Sequence, residues 1–185
     1  MADQLAAKGY IAIAPDLLSG FGPNGGKTSD FPGVDAAREA VSKLEQAVVT
    51  ADLNAAADYV QSLPSANGKV AAAGFCWGGG QAFRFANDRP QLDGAFVFYG
   101  PTPSDVSRIS APVFAFYAEN DARITAAAPD TVSAMHEAAK KFAFTVFPGA
   151  GHGFMRTGED PGAARENKDD RAQAWKRFLA LLKTL

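Results

Sequence analysis

A single cysteine in 185 residues rules out an internal disulfide, and no C-x-x-C pair is present for zinc or dithiol chemistry. Histidine is nearly as scarce: there are two, without clustered carboxylates beside them, so no metal site is expected. No apolar run approaches the roughly 18 residues of a membrane-spanning helix, and the N-terminus lacks the basic-then-apolar pattern of a secretion signal. A net charge of −2 supplies no field to draw nucleic acid or an anionic membrane. The expected partner is a small molecule and the expected location cytoplasmic.

What is present suffices for one globular domain over residues 1–185, with 47% apolar and 21% charged residues. There is no internal repeat. Short apolar runs at residues 10–14, 69–75, 94–99, 112–118 and 142–147 read as strands. They alternate with helical patterns at 35–48, 51–63, 79–86, 129–141 and 167–185. Thr50 is placed to cap the second of these helices and Pro64 to close it. Alternation of this kind predicts an α/β fold, a mostly parallel sheet flanked by helices. Such sheets place ligands at the carboxyl ends of their strands, where Asp16, Cys76, Tyr99, Asp121 and His152 all map.

The run Lys69-Val-Ala-Ala-Ala-Gly-Phe-Cys76-Trp-Gly-Gly-Gly80 takes an apolar strand through a glycine-flanked turn into a helix. Gly74-x-Cys76-x-Gly78 is the G-x-S-x-G nucleophile elbow with sulfur in place of the hydroxyl oxygen. Its flanking positions are expected to be small because strand and helix nearly touch there. The N-terminus of the following helix would favour a thiolate and a developing oxyanion. Alone, the motif equally describes an inert cysteine beside a glycine loop. Two further residues decide the matter. Asp121 ends the strand over residues 112–118, and His152 hangs from the glycine-rich loop after the strand over 142–147. Nucleophile, acid, histidine is the chain order of α/β-hydrolases.

From Ala2 to Leu185 the sequence resembles the dienelactone hydrolase family, the carboxymethylenebutenolidases within the α/β-hydrolase fold. The stretches that carry the resemblance are Leu5-Ala-Ala-Lys-Gly-Tyr-Ile-Ala-Ile-Ala-Pro-Asp16, Asn67-Gly-Lys-Val-Ala-Ala-Ala-Gly-Phe-Cys76-Trp-Gly-Gly, Glu119-Asn-Asp121 and Gly149-Ala-Gly-His152-Gly-Phe. The resemblance implies a Cys76, His152, Asp121 triad that hydrolyses small esters or lactones through a thioester, without a cofactor. It implies an oxyanion donor at the Trp77 amide, and substrate-carboxylate binding by Arg156 and, with a short deletion allowed for, Arg38. A guanidinium suits a carboxylate because its planar fork donates two parallel hydrogen bonds. Trp77, Tyr99 and Phe154 either line the pocket or pack as core.

The resemblance also implies that family members carry several dozen residues before the position of Met1. These supply a further strand, a second oxyanion amide and a glutamate that helps form the thiolate. The chain therefore reads as N-terminally truncated. A catalytically impaired or non-catalytic binding domain is the alternative to an active hydrolase. A nucleotide-binding protein is disfavoured, since neither G-x-G-x-x-G nor G-x-x-x-x-G-K-[ST] occurs.

Overall fold

Four parallel strands form the sheet, in the order β1 (Ala71–Phe75), β2 (Gly94–Phe98), β3 (Val113–Asn120), β4 (Phe142–Gly151). A computed structural model describes all residues, Met1–Leu185, and resolves two compact units, Met1–Gly68 and Lys69–Leu185. The sheet belongs to the second unit. β2 is buried at every residue, as its unbroken apolar run requires of a parallel strand covered on both faces. Strands β1 and β4 are the edges, and Phe144 on β4 is 40% exposed.

Register partners in a parallel sheet share a face, so the phenylalanines fall into stacks. Phe98 lies 4.6 Å from Phe75 and 4.2 Å from Phe116, ring centroid to centroid. Helix α8 (Arg165–Leu182) covers this face by driving Phe178 edge-on into Phe96 at 4.7 Å and Phe98 at 5.5 Å. Phe178 is 1% exposed, and its loss would cost on the order of 3–5 kcal/mol. Helix α4 (Trp77–Asp88) crosses from β1 to β2 and buries Ala82, Phe83, Phe85 and Ala86. Residues 99–112 link β2 to β3 without a helix, as the Gly100-Pro101-Thr102-Pro103 run anticipates. The β3 to β4 crossover carries α5 (Ala122–Thr125) and α6 (Ala128–Glu137). The short α7 (Phe154–Thr157) follows β4.

The first unit holds α1 (Ala2–Ala6), α2 (Val34–Ser42) and α3 (Gln46–Ser62), with no strand. Residues 10–14, expected to be a strand, have none of its hydrogen bonding, and Ile11 and Ile13 are 42% and 46% exposed. Alternating apolar residues favour an extended chain, but a strand exists only where a neighbour takes its peptide groups. Asp16 consequently ends no strand; its carboxylate accepts from the Leu18 and Thr28 amides and the Thr28 hydroxyl. The helix expected over 35–48 breaks at Lys43–Glu45, and Gln46 opens the next. Thr50 is therefore not its cap. It lies one turn inside and returns its hydroxyl to the Gln46 carbonyl at 2.9 Å.

One buried polar atom is orphaned. Asp170 continues the inward stripe of Ala174 and Phe178 on α8, is 6% exposed, and its Oδ2 has no hydrogen-bond partner. Burial, then the like charges of Asp169 and Glu166, raise its pKa above the usual carboxylate value. The stability contributed by the protonated form is whole at acid pH and is lost as pH rises through that raised value. At pH 7, Asp170→Asn is expected to melt about 2–4 °C higher than the natural chain. The gap should close on acidification; a gap that widened with acid would contradict this reading.

Candidate active site

Cys76 sits between the last residue of β1 and the first of α4 with φ 56° and ψ −120°, a conformation L-residues rarely adopt. The bend is held by its neighbours: the Cys76 amide donates to the Phe98 carbonyl at 3.0 Å, and its carbonyl accepts from the Gly80 amide at 3.2 Å. Strand and helix meet so closely that a Cβ at Gly74 would lie 1.8 Å from the Gly78 carbonyl oxygen. The expected need for a small residue on the helix side is not met in the same way, because a Cβ at Gly78 would meet nothing within 4 Å. The thiol is exposed. The Trp77 amide lies in the first turn of α4, where the helix itself provides no acceptor.

His152 follows the last residue of β4, and its Nε2 lies 3.1 Å from Cys76 Sγ. Its Nδ1 lies 2.5 Å from Oδ2 of Asp121, whose side chain is only 7% exposed at the start of α5. An ionised carboxylate can only accept, so Nδ1 carries the hydrogen and Nε2 is left facing the thiol. The imidazole can thus take the sulfur's proton while the carboxylate stabilises the resulting cation. All three groups lie in the second unit and come from the carboxyl ends of β1, β3 and β4.

Tyr99 walls this pair. Its ring stands edge-on to His152 at 5.1 Å and to Phe154 at 5.4 Å, and its backbone takes φ 41°. Burial, and then the charge on the Cys76 sulfur, push the phenol above its ordinary value and keep it protonated. Tyr99 is 3% exposed and Phe154 1%, so both expected pocket residues stand behind the imidazole rather than open to solvent. Arg156 on α7 is exposed and forms no salt bridge. Arg38, in the first unit, is exposed and pairs with Asp35 at 3.1 Å.

Two residues whose roles were not foreseen act next to Asp121. Glu119 Oε2 accepts from the Gly149 amide at 2.8 Å, and Asn120 Nδ2 donates to the Gly149 carbonyl at 3.0 Å. The signal was the run of three polar residues ending an apolar strand. A separate cleft of about 290 Å³ is lined by Pro101, Tyr117, Arg123, Ile124 and Thr131 among others. Its hydroxyls bond internally, Thr102 to Thr131 at 2.5 Å and Thr131 to the Ala127 carbonyl at 2.9 Å.

A parallel sheet with helices on both sides, a strained strand-to-helix turn at Cys76 and an aspartate and histidine from later strand ends define an α/β-hydrolase-type protein. The dienelactone hydrolase family profile matches residues 1–185, and the chain belongs to that family. It is 31% identical over 197 residues to a provisionally named carboxymethylenebutenolidase of Salmonella typhi, covering 95% of this chain and 67% of that one. A Saccharolobus solfataricus protein of the same provisional name is 37% identical over 118 residues, 62% of this chain; the match spans 44% of the relative's length. A provisionally named dienelactone hydrolase structure from Klebsiella pneumoniae superposes with TM-score 0.80 at 26% identity, covering 96% of this chain and 76% of that one. A dienelactone hydrolase-like promiscuous phosphotriesterase from metagenomic libraries shares the fold at TM-score 0.80 and 21% identity.

The glycine contacts predict an asymmetry. Gly74→Ala is expected to lose about 3 kcal/mol or more of stability in chemical denaturation, since backbone must move to admit the methyl group. Gly78→Ala should stay within about 1 kcal/mol of the natural chain. Equal tolerance at the two positions would contradict the elbow geometry.

Proposed function

We propose that this chain is a cysteine-dependent hydrolase of small esters or lactones, with Cys76 as nucleophile, His152 as base and Asp121 as its orienting acid. The observation that carries the reading is the imidazole bridging sulfur and carboxylate at 3.1 and 2.5 Å. His152 takes the Cys76 proton, and the sulfur attacks the substrate carbonyl. The Trp77 amide donates to the oxyanion. His152 Nε2 then passes its proton to the leaving alkoxide, producing a thioester on Cys76. Water, deprotonated by His152, attacks the thioester and returns the thiol with release of the acid. One such oxyanion donor is worth roughly 2.7–4 kcal/mol in the transition state.

The relatives' name, carboxymethylenebutenolidase, supports a lactone that bears a carboxylate. Arg156, four residues beyond His152 and without an acidic partner, supplies a charge suited to it. Arg38, already committed to Asp35, is the weaker candidate.

Cys76→Ala is expected to lower turnover of p-nitrophenyl acetate by about 10⁴-fold or more. Its circular dichroism and melting temperature should match those of the natural chain. Turnover retained in that variant, or none in the natural chain, would overturn the assignment.

A further inference from the structure

We infer that Glu119 and Asn120 are positioning residues that clamp the Gly149 peptide and thereby set where His152 stands. The inference rests on the reading of Cys76 and His152 as a working pair. The last two strands change register just before the site. β3 and β4 run in step from Val113↔Phe142 to Ala118↔Phe147, and the next pairing is Asn120↔Gly151. Two residues of advance on β3 thus face four on β4: residues 148–150 stand opposite Glu119 alone, a surplus of two. Without that surplus, the register of the preceding pairs would set Ala150 beside Asp121, not the histidine.

A bulge with two extra residues needs something to fix its position. Ala150 is wholly buried and anchors it from inside. On the outside is Gly149, at φ 77°, whose peptide groups have left the ladder. Glu119 takes its N–H and Asn120 holds its carbonyl. Successive strand residues point to opposite faces, so the two side chains can grip the peptide from either side. Both are exposed, where a hydrogen bond contributes little to global stability. Their effect is therefore local. Asp121, the next residue, completes the set by fixing the imidazole itself: three consecutive side chains hold the two peptide groups of one residue and one ring.

Glu119→Ala and Asn120→Asp test the clamp; the second replaces a donor by an acceptor that repels the Gly149 carbonyl. In each, kcat for p-nitrophenyl acetate should fall about 10- to 100-fold with KM within about twofold, because a misplaced base slows proton transfer without touching ground-state binding. Alkylation of Cys76 by iodoacetamide at pH 6 should fall in parallel. Glu119→Gln, which keeps an acceptor oxygen for the Gly149 amide, should restore both. Unchanged kcat and alkylation in the two variants, or Glu119→Gln as impaired as Glu119→Ala, would overturn the clamp. If the natural chain is inactive, the hydrolase reading fails and the clamp is judged on imidazole NMR, with exposed His136 as internal reference. One sharp set of His152 signals, broadened or doubled in Glu119→Ala, supports it. Identical spectra overturn it.

Discussion

The absence of a side chain at Gly74 is the constraint on which the site depends. The Cys76 sulfur stands clear of the sheet because the backbone turns through a left-handed φ between strand and helix, and that turn closes only if the two nearly touch. The contact also fixes the direction in which α4 leaves. Its first turn therefore begins one residue after Cys76, and the Trp77 amide there has no acceptor within the helix. A rare conformation at Cys76, costing on the order of 1–3 kcal/mol, is tolerable because the flanking hydrogen bonds and the buried strand β2 leave no alternative path.

The core and the site share material. The stack of phenylalanines that joins β1, β2 and β3 leads at its carboxyl end to Tyr99, whose ring touches His152 on one side and Phe154 on another. Packing thus limits the rotation of the imidazole, and the Asp121 carboxylate sets its tautomer. The same aromatic burial that contributes to the stability of the second unit thus holds the imidazole in place beside Cys76.

Elements whose determinants are local were legible in the sequence. Gly74 in the Gly-x-Cys-x-Gly run carries its own steric reason, though Gly78 does not, and β2 shows as an unbroken apolar run because both its faces are covered. Asp121 and His152 stood out because each follows a largely apolar strand, and the structure brings both to Cys76. What escaped was decided by partners. Residues 10–14 have the composition of a strand and no neighbour to bond. The break at residues 43–45 carries neither glycine nor proline, so one helical pattern ran across two helices and Thr50 was misplaced. The reach of β4 to Gly151 was hidden because Pro148 and Gly149 read as loop; only pairing across to Asn120 reveals a bulge. The clamp on Gly149 was invisible for the same reason.

A nucleophilic Cys76 must form a covalent bond from its sulfur to the acyl group. The direct measurement is rapid-quench mass spectrometry of the chain mixed with p-nitrophenyl acetate, followed by peptide mapping. An acetyl increment on the peptide containing Cys76 is expected to appear with the burst of p-nitrophenol and to decay at the turnover rate. A far slower build-up is expected when His152 is replaced by alanine. Turnover without any acyl mass at Cys76, or an adduct that forms equally fast without the imidazole, would contradict that role.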